Sequence, residues 1–199
     1  MKTNNYNNKN DRLNLTSELL ALLGEPPHGR WLDLGCGDGK TVEILSFLGC
    51  DAFGIDTNCA DNGRLLRCDM LALPFSAGEL NGAIAECSLS VCGDTRAALR
   101  ECAKALKIGG TLLLSDVFFP EREASVCPTL SLGAGATFSE WRRTLVECGF
   151  DVELAEDRSD AWHDYVLQQL WKGVSLKEQW DCKGSCENSG YFIALARRM

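Results

Sequence analysis

No stretch of this chain reaches the roughly 18 consecutive apolar residues that a bilayer-crossing helix requires. The start Met1-Lys2-Thr3-Asn4-Asn5 is polar and lacks the apolar core of a secretory leader. The expectation is a cytoplasmic protein with no membrane partner. Positive charge is in deficit, with 20 Lys and Arg against 28 Asp and Glu and a net charge of −8. Affinity for nucleic acid rests largely on Lys and Arg neutralising phosphates, so no nucleic-acid partner is expected and a small molecule or a protein side chain is the expected substrate. Internal repeats and low-complexity linkers are also missing, and 199 residues is close to the usual size of one domain. Residues 1–12, rich in Asn and Lys, read as a flexible arm, and residues 13–199 as a single domain.

What is present centres on the run Trp31-Leu32-Asp33-Leu34-Gly35-Cys36-Gly37-Asp38-Gly39-Lys40. It reads as an apolar strand ending in an acidic residue, then three glycines at alternate positions, then the start of an amphipathic helix, Lys40-Thr41-Val42-Glu43-Ile44-Leu45. A strand that turns this sharply into a helix leaves a backbone shelf and a helix N-terminus facing an open crevice. Dinucleotide folds use G-x-G-x-x-G, which lets the helix approach a pyrophosphate. Here the pattern is Asp33-x-Gly35-x-Gly37-x-Gly39 with Asp38 inside the loop. Two carboxylates repel a pyrophosphate and suit a cation, such as the amino and sulfonium groups of S-adenosylmethionine. The spacing therefore argues against a nicotinamide-dependent oxidoreductase.

On these residues the chain resembles class I S-adenosylmethionine-dependent methyltransferases, over roughly residues 29–199. The resemblance extends to the strand Ala52-Phe53-Gly54-Ile55 ending at Asp56, twenty-three positions after Asp33, where the family places an acid that takes both ribose hydroxyls. A carboxylate can accept both bonds from a vicinal diol. Arg67-Cys68-Asp69-Met70-Leu71-Ala72-Leu73-Pro74-Phe75 is similar to the segment in which an acid caps the adenine amino group and the next residue packs on the ring. Leu106-Lys107-Ile108-Gly109-Gly110 matches the turn before the fifth strand. Glu86-Cys87-Ser88-Leu89-Ser90 is similar to the corresponding segment of small bacterial type 11-like methyltransferases of unassigned substrate. The resemblance implies S-adenosylmethionine as cofactor and S-adenosylhomocysteine as product. It assigns cofactor contacts to Asp33, Gly35, Cys36, Gly37, Gly39, Asp56, Thr57, Asp69, Met70, Glu86 and Cys87. For Asp33, Asp38, Asp56 and Asp69 the alternative reading is a turn or helix cap, and Pro74-Phe75 reads as a structural turn.

Strand and helix patterns alternate, which predicts a Rossmann-like, doubly wound α/β fold: a seven-stranded, mostly parallel sheet with an antiparallel last strand. Strands are expected near 30–34, 52–56, 64–68, 81–87, 110–117, 150–156 and 190–197, and helices near 13–23, 39–48, 94–107, 137–148 and 161–171. Only eight residues, Thr57 to Arg64, separate Asp56 from the next apolar stretch, too few for a helical crossover, so a turn is expected there. Residues 158–189 read as an insertion on the acceptor side, with Trp162, His163, Tyr165, Trp171 and Trp180 as apolar walls with polar handles. Ordinary helix packing is the competing reading.

Methyl transfer is an in-line displacement that needs mainly alignment and exclusion of water. If the acceptor carries a proton that must leave, His163, Tyr165 and Asp116 are the candidate bases. The eleven cysteines are odd in number and many fall inside strand or helix patterns, which argues against a disulfide framework. Cys36, Cys50, Cys68, Cys102 and Cys148 read as small buried residues. Cys182-x-x-x-Cys186, with Cys87, Cys92 and Cys127, offers soft ligands for a thiophilic metal or metalloid. Arsenite methyltransferases, which share this fold and bind their substrate through thiolates, provide the comparison. Three readings stand: a methyltransferase on a small molecule or protein side chain, a non-catalytic S-adenosylmethionine-binding protein, and a thiol-rich metalloid methyltransferase or binding protein.

Overall fold

In the computed structural model, residues 15–119, 136–171 and 189–199 are described, the side chains of Leu15 and of residues 165–170 excepted. The elements run α1 (Leu15–Ala21), β1 (Arg30–Leu34), α2 (Lys40–Phe47), β2 (Asp51–Asp56), β3 (Leu65–Arg67), β4 (Leu80–Glu86), α3 (Thr95–Ala105), β5 (Leu106–Phe118), α4 (Phe138–Glu147), β6 (Phe150–Asp157), α5 (Ser159–Trp171) and β7 (Gly190–Arg198). They build one seven-stranded sheet in the order β3-β2-β1-β4-β5-β7-β6. All pairings are parallel except those of β7, which runs antiparallel to β5 and β6. This is the sheet that the strand pattern predicts.

Side-chain alternation along the strands sorts the core into two layers. Leu32, Leu34, Leu112, Leu114, Phe192 and Ala194 pack on one face with Leu99 of α3 and Trp141 of α4. Trp31, Leu113, Val117, Tyr191 and Ile193 pack on the other with Leu19 of α1, Leu45 of α2 and Trp162 of α5. Both faces are therefore covered by helices, as a parallel sheet requires. Trp141 anchors the first layer by packing on Phe192, with ring centroids 5.3 Å apart, and by donating its indole N–H to the Val117 carbonyl at 2.9 Å.

Helix boundaries follow local chemistry. Asp94 caps α3 by accepting from the Ala97 N–H, and Thr137 and Glu140 form a reciprocal capping box on α4. α2 starts at Gly39 with no side-chain cap, so its first N–H groups remain free to face a ligand. The chain between β2 and β3 is a turn, in agreement with the short spacing.

Several boundaries differ from the expected ones; α1, for example, ends at Ala21 rather than near 23. α3 stops at Ala105 because Leu106 adopts an extended conformation and pairs with Leu80. β5 thus begins four residues before Gly110, the expected start. The register then shifts so that Thr111 pairs with Gly82, leaving Lys107–Gly110 out of that ladder. α5 begins at Ser159 rather than 161. The sequence pattern missed the end of α3 because a bulge carries no period.

Candidate functional site

The carboxyl ends of β1, β2 and β4 lie side by side, and the loop Gly35–Gly39 rises from β1 between them. The N–H groups of Gly35 and Cys36 both donate to the Ile55 carbonyl, at 2.8 and 2.9 Å, which bends the loop over β2. Gly35 has a φ of 80°, and a Cβ there would meet Ser88 Cβ at 2.5 Å, so the position needs glycine for two separate reasons. Ser88 in turn donates its hydroxyl to the Leu34 carbonyl at 2.6 Å and ties the segment after β4 to β1. Gly37 and Gly39 complete the turn into α2.

Asp56 ends β2 at the lip of this loop. Its carboxylate accepts the Gly37 N–H at 3.0 Å and the Asn58 N–H at 2.8 Å. The cap reading of Asp56 thus holds, and a carboxylate with about four acceptor sites keeps lone pairs to spare. Thr57 is exposed beside it. Asp69 is exposed on the loop after β3 and accepts the Leu71 N–H at 2.9 Å, the cap reading of that residue, with lone pairs to spare. Met70 reaches toward the glycine loop, where its terminal methyl would lie 3.7 Å from a Cβ on Gly35. Phe75 packs edge-on against Phe53 at 6.0 Å, as a structural turn residue should.

Asp33 and Glu86 face each other at the base of the crevice. Asp33 is 3% exposed, and its carboxyl has no hydrogen-bond partner among the described residues. Burial, followed by the negative charges of Glu86, Asp56 and Asp38, pushes its carboxyl well above the ordinary carboxylate range. Glu86 accepts hydroxyl bonds from Thr16 of α1, at 2.8 and 3.0 Å, and from Thr41 of α2, at 3.1 Å. Neither threonine was singled out by the sequence. Thr41 follows the glycine motif closely enough to be noticed, whereas Thr16 is seventy residues from Glu86 and carries no local signal.

Cys36 is buried next to Asp33, and desolvation together with that carboxylate pushes its thiol up to about 12. Such a thiol is a neutral packing group, not a nucleophile. Cys87 has a φ of 50°, the only positive φ outside glycine among the described residues. Its thiol is also raised by burial and by Asp116. Cys50, Cys102 and Cys148 are buried as expected, but Cys68, in the loop just past the edge strand β3, is only partly buried. No disulfide joins the described cysteines, and no three His, Cys, Asp or Glu side chains among the described residues are placed to hold a metal. Cys127, Cys182, Cys186 and Trp180 lie outside the described residues, as does the Tyr165 side chain.

Of the candidate bases, Asp116 is fully buried at the end of β5. Its oxygens accept the N–H groups of Ser90, at 3.0 Å, and Val117, at 2.8 Å, clamping the segment after β4. Burial raises its carboxyl to about 6. His163 is exposed on α5. Trp162 on the same helix is 3% exposed, stacks on Tyr191 with centroids 5.7 Å apart and bonds Ser189, so it follows the packing reading. A separate concavity of about 190 Å³ lies at the amino ends of the strands, lined by Trp31, Asn81, Lys107 and Arg197. None of the crevice residues borders it.

A family model described as a methyltransferase domain matches residues 7–174. The chain is 24% identical over 175 residues to the sterol 24-C-methyltransferase ERG6 of Saccharomyces cerevisiae, covering 72% of this chain and 45% of that protein. It is 28% identical over 225 residues to the trans-aconitate 2-methyltransferase of Rhizobium meliloti, covering 96% of this chain and 85% of that one. The chain thus spans less than half the length of the yeast relative. Among solved structures, the [4+2]-cyclase SpnF superposes with a TM-score of 0.72 at 20% identity, over 92% of this chain and 79% of its own. The geranyl diphosphate C-methyltransferase from Streptomyces coelicolor A3(2), in complex with Mg2+, geranyl diphosphate and S-adenosyl-L-homocysteine, gives 0.69 at 16% identity, over 93% and 79%. At these identities the solved structures share the fold.

Proposed function

Because the chain belongs to the methyltransferase-domain family, we propose that it is an S-adenosylmethionine-dependent methyltransferase acting on a small molecule or a protein side chain. The observation that carries this reading is the convergence of Asp33, Asp56 and Glu86 on one backbone shelf. A sulfonium nucleoside with an amino-acid tail has a diol, an ammonium and a positive sulfur, and the crevice offers acceptors for each. Asp56 retains free lone pairs for the ribose hydroxyls, while Gly37 and Asn58 hold its carboxylate in place. Asp33 and Glu86 supply negative charge where the amino-acid tail would lie on the glycine loop. Asp69, Thr57 and Met70 border the adenosine end, and Cys36, Cys87 and the glycines Gly35, Gly37 and Gly39 supply the surface in contact.

The chemistry asks little more of the protein. The acceptor's lone pair attacks the methyl carbon in line with the sulfur. The carbon–sulfur bond breaks, its electron pair stays on sulfur, and S-adenosylhomocysteine leaves. An acceptor proton, where there is one, passes to a base or to water. Asp116 is committed to the Ser90 and Val117 N–H groups, so we assign it the positioning of the segment after β4. The methyltransferase relatives support methyl transfer over ligand binding alone.

The test is calorimetric titration of the reduced protein with S-adenosylhomocysteine, beside Asp56→Ala. Losing two charge-assisted hydrogen bonds should weaken binding by roughly 3 kcal/mol, about a hundredfold. An acceptor screen with methyl-labelled S-adenosylmethionine then separates turnover from binding alone. No binding by a folded protein overturns the reading.

A further inference from the structure

Four carboxylates surround the glycine loop at the base of the crevice, and three of them have polar partners. Asp38 pairs with Lys40 at 2.9 Å. Asp56 accepts two backbone N–H groups, and Glu86 accepts the hydroxyls of Thr16 and Thr41. Asp33 is different, since it is nearly sealed and its carboxyl has no hydrogen-bond partner among the described residues. The titratable groups facing it are Glu86 from β4, Asp56 from β2, Asp38 from the loop and the Cys36 thiol, with Cys59 behind Cys36. The Cys36 thiol is neutral and the charged groups facing Asp33 are acids, so nothing there favours its ionised form until a ligand brings positive charge.

We propose that Asp33 is the charge-selecting residue of the crevice: it carries a proton in the empty protein and gives it up to solvent when a ligand bearing an ammonium group is seated. The step balances simply, because neutral Asp33 and the cationic ligand become an ion pair and one proton enters the buffer. The ligand class is an adenosine with a charged amino-acid tail. The neutral thioether 5′-methylthioadenosine, which has the same adenosine and no ammonium, should bind without moving a proton. This inference rests on the proposed cofactor reading and adds to it a specificity rule and a pH dependence.

The sign follows from linkage. Binding that releases a proton strengthens as pH rises, by about tenfold per pH unit while Asp33 is still protonated in the empty protein, and levels off above that range. The experiment is titration with S-adenosylhomocysteine and with 5′-methylthioadenosine in succinate and in bis-Tris, which both buffer at mildly acidic pH and whose protonation heats differ. The expected result is that the heat of S-adenosylhomocysteine binding differs between the buffers by about one proton's worth at low pH, while that of 5′-methylthioadenosine does not. Asp33→Asn should lose the buffer dependence. Its folding is monitored by melting, and the two-buffer comparison on the wild-type protein stands without it. S-adenosylhomocysteine binding with no proton released overturns this inference alone, as does buffer dependence that persists in Asp33→Asn. Failure of both ligands to bind a folded protein overturns the cofactor reading as well.

Discussion

Gly54 lies in β2 beneath the glycine loop, and replacing it with alanine tests whether packing places the shelf. No positive φ marks this glycine, so the backbone accepts alanine and only crowding counts. The new Cβ would lie 2.6 Å from Cys36 Cβ, 2.7 Å from its Sγ and 2.8 Å from Val42 Cγ2. Carbon atoms rest at roughly 3.5–4.0 Å, so all three contacts fall well short. Relief by rotation is barred, because Cys36 Cβ is tied to a loop whose N–H bonds the Ile55 carbonyl, and Val42 is in the first turn of α2. Overpacking of this kind costs about 1–3 kcal/mol. At roughly 2–4 °C per kcal/mol for a domain of this size, the melting temperature should fall by about 2–12 °C. The loop must lift, lengthening the 3.0 Å Gly37 to Asp56 bond, and S-adenosylhomocysteine affinity should fall about tenfold or more. Gly63→Ala is the contrast: its Cβ meets open space, so its φ of 83° adds only about 1–2 kcal/mol of local strain and affinity should hold. Should Gly54→Ala melt within about 1 °C of the parent and bind as tightly, the loop's contact with β2 does not position the site.

Asp33→Asn removes a buried carboxyl with no partner to lose, so it should raise the melting temperature, and the gain should grow as pH rises from about 4. The folded state retains a proton on Asp33 that the unfolded chain sheds, so wild-type stability drops with rising pH in that range; melting curves across pH check it, and a pH-independent difference refutes it. Asp116, pushed up to about 6, acts with the same sign. Asp116→Asn loses backbone acceptors and is destabilised throughout, but in urea titrations its deficit should shrink between about pH 4 and pH 7 by about 3 kcal/mol. Thr137→Ala breaks the α4 capping box and should cost about 1 kcal/mol by chemical denaturation, leaving S-adenosylhomocysteine binding intact.

Much of this protein is legible without coordinates because its signals are local. The apolar runs around Leu32, Leu113 and Ile193 each lie in a strand where the pattern predicts one, with successive residues buried on opposite faces of the sheet. The spacing of Asp33, the glycines and Asp56 places a crevice at the carboxyl ends of β1 and β2, because a strand–loop–helix turn is encoded within about ten residues. The eight-residue gap before β3 excludes a helix on chain length alone.

Tertiary structure decided what depends on distant neighbours. Whether Asp33 is a cap or a buried acid without a partner follows from what surrounds it, and Glu86, Asp56 and Asp38 come from separate segments. Thr16 meets Glu86 only because α1 packs over the sheet. Cys68 is partly exposed because it follows the edge strand β3 into a loop, Trp162 is core because Tyr191 lies under it, and β5 starts at Leu106 because Leu80 is there to pair with it. Periodicity along a chain reports which side of an element is buried. Charge state, pairing and register are set by atoms that sequence separation hides, and those atoms decide how this crevice treats a cation.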